Sequence, residues 1–110
     1  MDEKEIKQLV TREREKFPYH QVYFTLKKLK LRHLREKTVE NFRTMLALVS
    51  LGLPITTYTL DFMNPTTCQN TSLYNLHNYG DRHLLTLRRE DKRNYRWELS
   101  PLTKQAFGVN

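Results

Sequence analysis

At 110 residues and 38% hydrophobic side chains, the chain fits a single domain built around one modest core. No apolar run approaches the roughly 18 residues of a membrane span, the opening MDEKEIKQLV has no apolar h-region, and the single Cys68 cannot form an internal disulfide. A cytoplasmic protein is therefore expected, and the net charge of +7 points to a polyanionic partner, nucleic acid before an anionic membrane surface.

Residues 1–16 balance five basic against five acidic side chains. Ile6, Leu9, Val10 and Phe17 share one face of a first helix, which Pro18 ends or bends. From residue 19 to residue 35, Val22, Tyr23, Leu26 and Leu29, with Leu31 and Leu34, predict a second helix. Val22, Phe24 and Leu26 also alternate as a strand would, so both readings stand. Residues 27–37 hold Lys27, Lys28, Lys30, Arg32, Arg35 and Lys37 against Glu36 alone. That block reads either as the solvated face of a linker helix or as a cationic edge that continues along a duplex.

Between residues 38 and 80 the charges are only Glu40, Arg43 and Asp61. Thr38 is placed as an N-cap, with Glu40 in the first turn to meet the positive end of the dipole. Phe42, Met45, Leu46, Leu48, Val49 and Leu51 predict a helix apolar almost all round and therefore buried. Gly52 closes it and Pro54 prevents its continuation. Ile55, Thr56 and Thr57 open a short helix with Tyr58, Leu60, Phe62 and Met63, halted at Asn64 and Pro65. A polar helix follows within residues 66–79, stopped by Gly80, with Leu73 and Leu76 facing inward and Cys68 and Tyr79 in support.

Residues 84–89 and 95–99 alternate as two strands, joined by the polar connection Glu90, Asp91, Lys92 and Arg93. In the second strand Tyr95, Trp97 and Leu99 share one face, and Asn94, Arg96 and Glu98 the other. Ser100 followed by Pro101 is an N-cap with proline at the first helical position, opening a last helix through Leu102, Ala106 and Phe107.

Three helices, a β-hairpin and a closing helix, in that order, resemble a winged helix-turn-helix domain, most closely the MarR-type and ArsR-type regulators. Leu73, Leu76 and Gly80 match the spacing of leucines and glycine at the end of the recognition helix in those families. "WELSPLTKQAF" resembles their passage from the third strand into the last helix, with Thr103 where glycine is usual. Two features depart from the pattern. Asp81, Arg82 and His83 precede Leu84 where an apolar pair is usual, which implies a longer recognition helix or an inserted loop. Pro54-Ile55-Thr56-Thr57 also lacks the small-residue turn of simple helix-turn-helix motifs.

The fold expected is mainly α with a small β-hairpin wing, a winged helix-turn-helix over residues 38–110 carrying an N-terminal helical extension over residues 1–37. In the recognition helix Gln69, Asn70, Thr71, Ser72, Tyr74, Asn75 and Asn78 are the candidates for DNA contact. Asn and Gln can bind an adenine edge bidentately, and Ser, Thr and Tyr can donate to phosphate. The same side chains would serve as a solvated face or a protein interface. In the wing the candidates are Arg88, Arg89, Lys92, Arg93 and Arg96, placed to meet phosphates or a minor groove. Glu90 and Asp91 oppose that role, and Arg89 or Arg96 can instead pair with Glu90 or Glu98.

No catalytic pattern accompanies these features. Cys68 has no histidine near it in sequence and reads as a small buried side chain. His20, His33, His77 and His83 lack metal-ligand spacing, Asp61 has no carboxylate partner, and no glycine loop for phosphate is present. The expectation is a non-enzymatic protein without cofactor that binds double-stranded DNA, a nucleoid-associated transcriptional regulator. It would act as a homodimer through the stripe of the N-terminal helix, unless that stripe packs on its own chain. The alternative is a winged-helix module for protein–protein contact within a replication, transcription or RNA-processing assembly.

Overall fold

The structure is a computed structural model that describes residues 2–32, 34–63, 69–91 and 95–109, without the side chains of 69–74. The elements run α1 (Glu3–Arg14), α2 (Tyr19–Lys28), α3 (Glu36–Ser50), α4 (Thr57–Met63), α5 (Gln69–Asp81), β1 (Leu85–Arg89), β2 (Tyr95–Leu99) and α6 (Pro101–Phe107). The protein is thus mainly helical with one small hairpin. Its contacts divide it into two compact units, Met1–Leu53 and Pro54–Asn110.

In the first unit α1 and α2 both pack on α3. Asp2 starts α1 by accepting the Glu5 N–H at 2.8 Å. Glu3 and Glu5 then face the positive end of the helix dipole, and Arg12 and Arg14 the negative end. Val10, at the centre of the apolar stripe, is fully buried, with Ile6 and Leu9 half-buried beside it. Of the stripe read as a dimer seam, Val10 is therefore covered within its own chain, while Ile6, Leu9 and Phe17 are half-buried. Pro18 ends this first helical stretch and serves as N-cap of α2, its carbonyl accepting the Val22 N–H at 3.0 Å.

α2 is a helix rather than a strand, but it stops at Lys28 and not near Arg35. Lys30 enters the left-handed region at φ 64°. Its N–H donates to Lys27 O at 3.0 Å, and the Leu31 N–H reaches back to Leu26 O at 3.1 Å, the bond pair of a Schellman end. Leu31 is only 6% exposed, so burial of this leucine outside the helix overrides the periodicity that would have continued it.

α3 begins at Glu36, with Arg35 as an extended N-cap that makes no side-chain bond. Thr38 and Glu40, expected at the cap and in the first turn, lie farther inside, because the chain already has N-cap dihedrals at Arg35 (φ −81°, ψ 161°). The boundary read between residues 37 and 38 accordingly falls inside α3. Phe42, Met45, Leu46 and Leu48 are buried as the apolar wrap predicted, and Gly52 closes the helix at φ 74°.

The two charges within this apolar stretch bind α1. Arg43 Nε donates to Phe17 O at 2.7 Å, just beyond α1, and its Nη2 to Arg14 O at 3.2 Å, a carbonyl at the end of α1 that also accepts the Phe17 N–H. Glu40 holds the guanidinium at 2.9 Å and also pairs with Arg14. Nearby, Glu13 accepts Ser50 Oγ at 2.8 Å and pairs with Lys16 Nζ at 3.0 Å. The Ser50 bond, and after it Lys16, hold the Glu13 carboxyl below its ordinary value.

In the second unit Thr56 and Thr59 cap α4 reciprocally. The Thr59 N–H donates to Thr56 Oγ1 at 3.0 Å, and the Thr56 N–H to Thr59 Oγ1 at 2.9 Å. Leu60 and Met63 are buried; Cys68, expected in a core, lies outside the described residues. β1 and β2 pair antiparallel from Leu85↔Leu99 to Arg89↔Tyr95. Ile55 adds a one-residue bridge to Trp97, whose N–H donates to Ile55 O at 2.9 Å.

Ser100 caps α6 as its sequence predicted, accepting the Thr103 N–H at 3.2 Å with Pro101 in the first turn. Thr103, where the resembled families carry glycine, is fully buried and its hydroxyl donates to Leu84 O at 2.9 Å. The inward face of α6 is therefore Thr103 with half-buried Phe107, and Leu102 and Ala106 are exposed. A hydroxyl anchored to the backbone ahead of β1 has set the rotation of this short helix.

Candidate nucleic-acid interface

α5 does not stop at Gly80 but runs to Asp81. The glycine is needed there for close packing, since a Cβ on Gly80 would lie 2.7 Å from Trp97 Cζ3. The indole therefore sits on the backbone of α5, and His77 meets it edge-on at 5.5 Å. Trp97 is thus turned toward the helix rather than offered to a base. The left-handed residue is His83, at φ 63°. Its N–H donates to Gly80 O at 2.9 Å and the Leu84 N–H to Tyr79 O at 3.0 Å, again a Schellman end with a buried leucine behind it. Of Asp81, Arg82 and His83, the first extends α5 by one residue and the other two form the turn that leads to Leu84.

Leu76 and Tyr79, three residues apart, anchor α5 with 0% and 2% of their surface exposed. Asn75 and Asn78 repeat that spacing beside them and are half-buried, leaving part of each amide accessible. Gln69, Asn70, Thr71, Ser72 and Tyr74 belong to α5 by backbone, but their side chains lie outside the described residues, as does that of Leu73.

The hairpin separates its basic residues by face. Register places Leu85, Leu87 and Arg89 with Leu99, Trp97 and Tyr95 on one side, and Thr86 and Arg88 with Glu98 and Arg96 on the other. Arg88 and Arg96 stand directly opposite each other, a like-charge pair that Glu98 relieves at 3.2 Å and 3.4 Å. Arg96 Nε also lies 2.9 Å from Glu90 Oε1. Arg96 is thus engaged by two carboxylates, the pairing that stands as the alternative to phosphate contact. Arg89 lies over the Tyr95 ring at 5.5 Å, with its Nε donating to Asp91 O. Lys92 and Arg93 lie outside the described residues.

The segment joining α2 to α3 is different. Lys27, Lys28, Lys30, Arg32, Arg35 and Lys37 are all exposed, and among the described residues none of them is in an ion pair. Residues 29–32 and 34–35 are not helical, so this block is not the face of a continuous linker helix.

Arg82 is not among the side chains singled out from sequence, yet it is exposed beyond the end of α5 and, among the described residues, forms no ion pair. Its signal lies in the Asp81-Arg82-His83 insertion, where a cation follows directly on the candidate helix. Among the described residues no helix is long and apolar enough to cross a membrane, and no three His, Cys, Asp or Glu side chains are placed to hold a metal ion. The chain matches no protein-family model, no curated protein and no solved structure.

Proposed function

We propose that the protein binds double-stranded DNA in the manner of a winged helix-turn-helix regulator, with α5 as reading helix and the β1–β2 hairpin as wing. The observation that carries this reading is the seat of Trp97 on Gly80, which joins the hairpin to α5, while the Ile55–Trp97 bridge ties the same strand to the segment ahead of α4. A helix entering a major groove beside a backbone-contacting hairpin needs that fixed relation. From Phe62 to Gly80 the sequence carries no acidic residue, so α5 presents no carboxylate to phosphates before Asp81, its last residue.

In this reading Asn75 and Asn78 supply base contacts with their uncharged neighbours on α5, while Arg82, Arg88 and Arg89 bind phosphates. A cytoplasmic, nucleoid-associated role follows from such binding. A homodimer would use the margins of the N-terminal stripe, Ile6, Leu9 and Phe17, because Val10 is already covered. Sedimentation of the full chain at tens of micromolar concentration tests that part, and a monomer there removes it.

The protein–protein reading has its own support. Leu87 and Tyr95 share one hairpin face and are 49% and 48% exposed, and Tyr58 on α4 is 67% exposed. Salt separates the two. Replacing Arg82, Arg88 and Arg89 together by Ala should weaken random-duplex binding at every sequence and flatten the salt slope by roughly 2–3, at about 0.9 for each phosphate no longer neutralised. Electrophoretic shift at two ionic strengths measures both. Duplex binding that is absent, or unchanged in affinity and slope by the triple substitution, transfers the function to the exposed Leu87–Tyr95 face.

A further inference from the structure

We infer that the turn between α2 and α3 is a separate binding site for single-stranded nucleic acid, taking one nucleotide into a pocket beside Tyr23. An open pocket of about 470 Å³ is lined by Tyr23, Lys27, Lys30, Leu31, Arg32 and Leu34. Its composition matches one nucleotide within a strand, with an aromatic ring and two leucines for a base and three cations for its phosphate and those of its neighbours along the strand. The volume falls within the range of pockets that enclose ligands of this size.

Two features distinguish the site from a solvated charged turn. Lys27 and Lys28 could be explained as cations meeting the negative end of the α2 dipole, but Lys30, Arg32, Arg35 and Lys37 lie beyond that helix. Lys30 also occupies a left-handed position, φ 64°, that glycine would hold with less strain, and it carries a pocket-lining charge there. The aromatic surface continues outside the pocket. Tyr23 is stacked with Tyr19 at 6.5 Å and meets Phe24 edge-on at 5.4 Å, and Phe24 is 57% exposed. Cations that track a backbone beside rings that stack on bases are the means by which single strands are held without sequence preference. A duplex keeps its bases stacked and would offer none to the exposed Phe24 or to the pocket-lining Tyr23, so the single strand is the better fit. The site lies within residues 23–34 and is independent of the duplex reading for α5 and the hairpin.

The test uses the full chain and a fluorescein-labelled thymidine 12-mer, followed by anisotropy. Lys27→Gln with Lys30→Gly and Arg32→Gln should weaken binding and make the salt slope shallower by roughly 2, at about 0.7 per phosphate on a single strand. Phe24→Ala, at an exposed position, should lower affinity on the order of tenfold with the slope unchanged, since it removes stacking and not charge. Lys30→Gly alone should raise the melting temperature while lowering strand affinity, opposite signs that loss of folding cannot produce. Wild-type affinity in the triple variant overturns the proposal. So does full competition by inorganic phosphate, which would reduce the pocket to an anion site. Retention on phosphatidylserine vesicles in preference to the strand, lost in the triple variant, would assign the turn to a membrane surface. The Arg82, Arg88 and Arg89 substitutions should leave strand binding intact, so failure of this site and failure of the duplex reading are told apart.

Discussion

α2 and α3 end through the same hydrogen bonds made by different residues. After α3 the left-handed position is Gly52, at φ 74°, and the Leu53 N–H returns to Leu48 O at 2.8 Å. After α2 it is Lys30, and the Leu31 N–H returns to Leu26 O at 3.1 Å. α6 and α5 repeat the contrast, with Gly108 at φ 68° in one and His83 at φ 63° in the other. Behind the glycines stand Leu53 and Val109, both half-buried, whereas behind Lys30 and His83 stand Leu31 and Leu84, at 6% and 1% exposure. A left-handed residue with a side chain costs about 1–2 kcal/mol, and burying a leucine recovers about that much. The non-glycine ends are thus held from behind, by the core, while the glycine ends are permitted by the local backbone.

Truncating the two kinds of leucine should give the largest effect. Leu84→Ala should cost about 2–5 kcal/mol, and Leu53→Ala, half-exposed behind a glycine, about 1–2 kcal/mol. Urea denaturation of both variants measures the gap; equal losses would break the distinction between the two kinds of helix end.

Gly80 sharpens the comparison, because it is a glycine within α5 and not the left-handed residue of its end, which is His83. Helix propensity alone would make Gly80→Ala stabilising by about 1 kcal/mol. Contact with Trp97 should reverse the sign and cost about 1–3 kcal/mol. Measured against Trp97→Leu alone, adding Gly80→Ala should be neutral or stabilising. A Gly80→Ala protein as stable as wild type in a denaturant titration would show that the ring does not rest on the backbone.

The smallest effects are expected where a side chain is exchanged at the left-handed positions themselves. His83→Gly should stabilise by about 1 kcal/mol, and Gly52→Ala should destabilise by a similar amount although a Cβ there meets no atom within 4 Å. Thermal unfolding of the two variants should therefore shift in opposite directions. No gain in the histidine variant would mean that its backbone carries no strain for glycine to relieve.

Features set by neighbours in the chain are legible in the sequence itself. Ser100 with Pro101 opens a helix, Gly52 closes one, and residues 95–99 alternate as a strand, because each rests on backbone chemistry within a few residues. Features that depend on distant partners are not. Apolar spacing carries α2 on toward Arg35, but the burial of Leu31 ends it at Lys28. Glu40 looks like a dipole partner, while its charge is spent on Arg14 and on Arg43, which caps α1 across a 26-residue separation. Gly80 reads as a terminator because the sequence does not show that an indole will be laid on it.

The candidate site divides in the same way. Two basic blocks are plain as charge runs, and the spacing of Arg96 and Glu98 allows their pairing to be anticipated. Which block keeps its charge for a partner is decided only in three dimensions. Antiparallel register sets Glu98 beside Arg88 and Arg96, whereas the turn after α2 leaves Lys27 to Lys37 without a carboxylate partner among the described residues. Sequence determines how many charges a segment carries, and the fold determines which of them are neutralised, because the attraction between two charges weakens as their separation grows and only the fold sets that separation.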